Sequence, residues 1–168
     1  GVGWSIDDMQ YYYGAEASAL TFQENTVDLF FKAGDKPGDP IKISTKPGTS
    51  YLTYENRTKT VEKDGRNSVE VYRPFDSNVV YLHGTMPMGA SGSDSVAVYN
   101  APLWFITTLR DALAKRGVTV NGKLKTVNAL DREVAPIDFS KLTEVAFLES
   151  RPMSEMIKNM MKPSQNLY

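Results

Sequence analysis

From Ala19 to about Tyr99 the apolar residues fall in short runs separated by turn residues, the texture of β structure. Thr26-Val27-Asp28-Leu29-Phe30-Phe31 reads as a strand. Asp35-Lys36-Pro37-Gly38-Asp39-Pro40 is turn chemistry, and Ile41-Lys42-Ile43-Ser44 alternates after it. Tyr51 to Val61 alternates again, and Lys63-Asp64-Gly65-Arg66 carries the Asp-Gly signal of a hairpin. Val69, Val71 and Tyr72 open the next strand, and Asn78 to His83 follows. Met86-Pro87-Met88-Gly89 and Ser91-Gly92-Ser93 read as loops. This spacing predicts a β-rich subdomain over 19–99, sandwich-like or barrel-like.

On either side the period changes. Residues 4–13 suit a short helix with Ser5 as N-cap, Asp7 and Asp8 in the first turn and Gly14 after the end. Residues 1–18 thus read as an entry segment. Asn100 can cap a helix with Pro102 in its first turn; Leu103, Ile106, Leu109 and Leu113 follow helical spacing, and Gly117 ends it. Val118-Thr119-Val120, Leu124-Lys125-Thr126-Val127 and Val145-Ala146-Phe147-Leu148 look like strands, which makes 100–149 a small α/β subdomain. Ser150 is placed to cap a last helix with Pro152 in its first turn. The apolar face of that helix is Met153, Met156, Ile157, Met160 and Met161, and Pro163 breaks it. The expected class is α+β, ending in this helix, with 150–168 as the start of a further segment.

Composition narrows the function. Lys and Arg number 19 against 20 Asp and Glu, so nothing favours nucleic acid. Cysteine is absent and His83 is the single histidine, so disulfides, thiolate zinc sites and cysteine nucleophiles are excluded, and neither metal nor cofactor is expected. No apolar run reaches the roughly 18 residues of a membrane span, and no signal peptide is visible. The first residues and the last, Asn166-Leu167-Tyr168, carry no start or stop signal, so a fragment of a longer protein is expected.

Candidate chemistry is sparse. His83 lies among strand-like residues and reads as an ordinary core or surface histidine. Asp7 and Asp8 suit the helix start better than half of an acid pair. The methionine stripe suits packing, and Asn56-Arg57-Thr58 is a chance match to a glycosylation sequon. Trp4 with Tyr11-Tyr12-Tyr13 either lines a sugar or peptide pocket or simply packs. Ser164-Gln165-Asn166 follows the last helix and its proline break. A hydroxyl and an amide two residues apart on a turn can face one cleft. The hydroxyl can pass a proton to a leaving amine while the amide holds a backbone carbonyl.

The stretch from Met156 to Leu167 resembles the Ser-x-Asn region of the low-molecular-mass D-alanyl-D-alanine carboxypeptidase/endopeptidase family, peptidase family S13. The opening Gly1-Val2-Gly3-Trp4-Ser5-Ile6-Asp7-Asp8-Met9 is similar to that family's Gly-x-Gly-Trp-x-x-x-Asp-(Met/Leu) segment. Ala15 to Leu20, Pro37-Gly38-Asp39 and the segment Leu113 to Gly122 match its order and texture. The resemblance implies that 19–99 and 100–149 belong to two insert domains, one nested in the other, and that 150–168 enters the catalytic domain. It implies a serine-type peptidase acting outside the cytoplasm on peptidoglycan peptides and acylated by β-lactams. Ser164 would shuttle the proton, Asn166 would position the peptide, and Asp8 with Tyr13 would bind the diamino acid's free amine.

The chain departs from the family pattern at important places. No serine has a lysine three residues on, and Lys59-Thr60-Val61 and Lys125-Thr126-Val127 lack the glycine of Lys-Thr-Gly. Gln165 replaces the usual Asp. The chain alone is therefore expected to be inactive. On a regular helix, Asp8 and Tyr13 would stand about 140° apart at about 100° per residue, so a turn at Gly14 has to redirect Tyr13. The competing expectation is a non-catalytic secreted β-rich module that binds cell-wall glycan or peptide.

Overall fold

A computed structural model describes residues 5–144 and 146–162. The chain divides into two compact units between Val120 and Asn121. The first unit holds eight strands among the described residues. They are β1 (Thr26–Lys32), β2 (Lys42–Lys46), β3 (Thr53–Asn56), β4 (Lys59–Val61), β5 (Glu70–Tyr72), β6 (Val79–His83), β7 (Thr85–Pro87) and β8 (Ser91–Ala97). One sheet has the order β2-β1-β8, a second β3-β6-β5, and β4 pairs with β7.

β1 is the central strand of its sheet. Its alternating Val27, Leu29 and Phe31 face inward and are buried, while Asp28, Phe30 and Lys32 face out. β6 does the same in the second sheet with Val80 and Leu82. Both sets join one core with Met86, Val96, Val98, Ala101 and Trp104, the sandwich-like arrangement that the alternation predicts.

β3 and β4 run parallel to β6 and β7 with one continuous register: Thr53 opposes Val79, Asn56 opposes Leu82, and Lys59 opposes Thr85. The ladder bends at Gly84, whose φ is +98° and where a side chain would collide with the Ser68 carbonyl. This pairing overrides the hairpin expected at Lys63–Arg66. The turn forms, with the Gly65 N–H donating to the Glu62 carbonyl at 2.9 Å, but β4 pairs with β7 and β5 with β6. Two of the expected loops are strands for the same reason. Thr85–Pro87 and Ser91–Ala97 have weak local β signals, and their partners β4 and β1 supply the ladder.

Helix α1 (Ala101–Ala114) starts at Asn100, whose side chain accepts from the Leu103 N–H at 3.2 Å. The Glu16 carboxylate accepts from the N–H groups of Asn100 and Ala101 at 2.9 and 3.0 Å. The helix ends in a Schellman pairing: Val118 N–H to the Leu113 carbonyl and Gly117 N–H to the Ala114 carbonyl, both 3.0 Å, with Gly117 at φ +80°. The buried face differs from the expected leucine stripe. Ala101, Trp104 and Thr107 turn inward, and Leu109 is exposed. Trp104 decides the orientation, because its ring packs 5.8 Å from Phe22 and 5.4 Å from Tyr51, centroid to centroid.

The second unit contains α2 (Ala129–Val134), a 3-10 turn at Phe139–Lys141 and α3 (Met153–Met161). The strands expected at 118–120 and 124–127 do not form, nor do the described residues 146–148 form one. Ser150 does not cap α3; Pro152 occupies the N-cap position. α2 lies where the residue pattern suggests no helix, and a reciprocal capping box of Asn128 and Asp131 forms its start. The apolar face of α3 lies open, with Met153, Ile157 and Met161 exposed.

Candidate functional site

Residues 6–14 form two 3-10 turns, Ile6–Gln10 and Tyr12–Gly14, in place of the single helix expected over 4–13. Tyr11 breaks them, with φ −90° and ψ 158°. Ser5 is the N-cap as expected, its hydroxyl accepting from the Asp7 N–H at 3.0 Å. Asp8 closes the capping box by accepting from the Ser5 N–H at 2.7 Å. The extended Tyr11 supplies the redirection that a regular helix lacks. It brings the Tyr13 hydroxyl to the other Asp8 oxygen, donating at 3.2 Å.

Gly14 is required by this geometry. It is buried, and a side chain there would overlap the Asp8 carbonyl. Tyr13 stacks on Tyr11 with centroids 5.4 Å apart and meets the edge of Tyr12 at the same distance. Partial desolvation first, and then the Asp8 carboxylate, hold the Tyr13 phenol above its usual range. The phenol therefore stays a hydrogen-bond donor at neutral pH. Tyr11 and Tyr12 are exposed. The pair presents a carboxylate that, among the described residues, accepts from two neutral donors and is flanked by aromatic rings. That combination suits an ammonium group.

The platform is tied to the β core by residues that no periodicity marks. Arg73, just after β5, is 3% exposed. Its guanidinium donates to the carbonyls of Pro74 at 2.7 Å, Phe75 at 3.2 Å, Ser77 at 2.9 Å and Met9 at 2.5 Å. Its backbone N–H donates to Gln10 Oε1 at 3.1 Å, and Gln10 Nε2 returns to the Asp7 carbonyl at 3.2 Å. Burial lowers the Arg73 pKa, with Glu16 working in the opposite direction. Glu16 also links the segment after the tyrosines to α1 through the two N–H groups it accepts.

The other sequence candidates separate clearly. Ser164 and Asn166 lie outside the described residues, as does Trp4. Asn56 and Thr58 are structural: the Asn56 amide donates to the Ile41 carbonyl at 2.9 Å, and the Thr58 hydroxyl accepts from the Ile41 N–H at 3.1 Å. His83 is a surface residue, 3.7 Å from Glu70. Among the described residues no cluster of three or more His, Cys, Asp or Glu is placed to hold a metal, and no helix is long and apolar enough to cross a membrane.

Comparison with known proteins extends over the whole chain. A D-alanyl-D-alanine carboxypeptidase of Actinomadura sp. (strain R39) is 25% identical over 170 residues, covering 97% of this chain. The chain spans 30% of that relative's length. Penicillin binding protein 4 of Haemophilus influenzae shares the fold with a TM-score of 0.55 at 19% identity, over 73% of this chain and 27% of that one. The model of the D-Ala-D-Ala carboxypeptidase 3 (S13) family matches residues 1–168 from end to end, and the chain belongs to that family.

Proposed function

We propose that this chain is part of a serine-type D-Ala-D-Ala carboxypeptidase/endopeptidase that acts outside the cytoplasm on peptidoglycan peptides, and that it supplies substrate-binding groups but not the nucleophile. The observation that carries the reading is the contact between Asp8 and Tyr13. Two residues that a regular helix would hold apart meet at 3.2 Å beside two further tyrosines. An anion with an aromatic wall suits the free amine of a diamino acid in a stem peptide.

The reaction would run as acyl transfer. A serine outside this chain attacks the D-Ala carbonyl, its proton passes through Ser164 to the leaving D-alanine amine, and water then hydrolyses the acyl-enzyme. Asn166 holds the peptide during attack. β-Lactams acylate the same serine, and the opened ring keeps the leaving nitrogen attached. In the full protein, 19–99 would be the nested insert domain, 100–149 the outer insert and 150–168 the start of the catalytic segment. The open methionine face of α3 would then pack on that catalytic domain.

Asn166→Ala and Ser164→Ala in the full-length protein test the catalytic half. Each should lower penicillin acylation and D-Ala-D-Ala hydrolysis by about 10²-fold, the scale of one lost transition-state contact. Rates equal to wild type would remove both residues from the site. Asp8→Ala tests the binding half: it should hurt a peptide with a free side-chain amine more than one without. The exposure of Tyr11 and Tyr12 favours a second reading, a non-catalytic module that stacks sugars. Glycan binding by the isolated chain, combined with wild-type acylation in the Ser164 and Asn166 variants, would select it.

A further inference from the structure

We infer that Arg73 is a positioning residue for substrate selection: its buried guanidinium clamps the Asp8 turn to the β core and so fixes the carboxylate that meets the substrate amine. The inference rests on the Asp8–Tyr13 reading above. The guanidinium closes the turn after β5 around itself through the carbonyls of Pro74, Phe75 and Ser77. Its remaining arm crosses to the Met9 carbonyl, next to Asp8 in the chain. The Arg73 N–H and Gln10 Oε1 make a second tie one residue further on. Among the described residues the Asp8 carboxylate is held only locally, by the Ser5 N–H and the Tyr13 hydroxyl of the same short segment. Two single 3-10 turns have little intrinsic stability. Among the described residues the Arg73 and Gln10 ties are the hydrogen bonds that join this segment to the chain just after β5.

The chemistry explains the choice of residue. A cation taken out of water is tolerated here because carbonyl dipoles surround it and Glu16 lies nearby. A planar fork can serve two chain segments at once, which the single ammonium of lysine does less well. The Arg73 guanidinium donates its hydrogen bonds to backbone carbonyls and none of them to the Asp8 carboxylate. Asp8 is thus not tied up in an ion pair with Arg73.

The test measures kcat and KM in the full-length protein on paired D-Ala-D-Ala peptides, with and without a free side-chain amine. Arg73→Met should reduce the preference for the amine-bearing peptide about tenfold, mainly through its KM, because a displaced binding group costs orientation. Arg73→Lys should restore part of the preference. Gln10→Ala breaks the neighbouring tie without leaving four carbonyls unpaired, and it decides the matter if Arg73→Met fails to fold. In an Asp8→Ala background, Arg73→Met should remove no further preference, since both changes act through one carboxylate. Equal losses on both peptides, or full additivity with Asp8→Ala, would overturn the positioning role. A preference lost in Asp8→Ala but kept in both Arg73→Met and Gln10→Ala would overturn this inference and leave the amine site standing. A preference kept in Asp8→Ala would remove the amine site and this inference with it.

Discussion

The residues up to Val120 and those from Asn121 onward carry similar local signals and have opposite fates. In the first unit Val27, Leu29, Val80, Leu82, Val98 and Trp104 are almost completely buried. In the second no described residue is buried, and Val134, Phe147 and Leu148 stand open at 89%, 76% and 98% exposure. Apolar residues are present in both. The first unit has long-range ladders, with β1 between β2 and β8 and the β3–β4 run beside β6–β7, and these close two sheets over one core. The second has helices with one apolar face each and no described layer that covers them. A periodic pattern thus states which face needs covering; a partner layer has to be present before that face becomes core.

Truncating one leucine in each unit separates the two fates most widely. Leu29→Ala should destabilise the chain by about 2–5 kcal/mol, the cost of a cavity in a closed core. Leu148→Ala should stay within about 0.5 kcal/mol, as for an exposed position. Denaturant unfolding of the 168-residue chain, followed by tryptophan fluorescence, reads both. Equal costs would mean that the second unit has a core of its own.

Glycines give the next contrast. Gly84→Ala meets a positive φ and the Ser68 carbonyl at the bend of the parallel ladder, and should cost about 1–3 kcal/mol. Gly122→Ala has open space and no positive φ, and should be neutral or slightly stabilising in the same unfolding experiment. A neutral Gly84→Ala would show that the ladder can relax at its bend.

Helix caps give the smallest effect. Asn100→Ala removes the side chain that accepts from Leu103 at the start of α1, at about 1 kcal/mol. Asn128→Ala removes an equivalent bond to Asp131 in the second unit. Global unfolding should register the first loss and miss the second. Amide exchange over 128–135 should detect the second as local fraying. If both caps shift the global midpoint alike, the two units unfold as one.

Much of this was legible from residue order. The alternation in β1 and β6, the Asn100 cap with Pro102, the Gly117 ending and the Ser5 cap are short-range facts. Neighbouring residues decide them through backbone preference and side-chain reach, so they survive into the structure. What failed was decided by pairing across distance. Asp64-Gly65 makes its turn, but the continuous β3–β4 and β6–β7 register takes the strands elsewhere. Ser91-Gly92-Ser93 has no local strand preference and becomes one because β1 lies opposite. At the candidate site the residue types Asp8 and Tyr13 could be named from a resemblance. Their contact could not, because it depends on Tyr11 leaving the helix and on Gly14 fitting against the Asp8 carbonyl. Arg73 and Gln10 were invisible for the same reason. A buried guanidinium is recognised only by the carbonyls that gather around it, and those come from chain segments more than sixty residues apart.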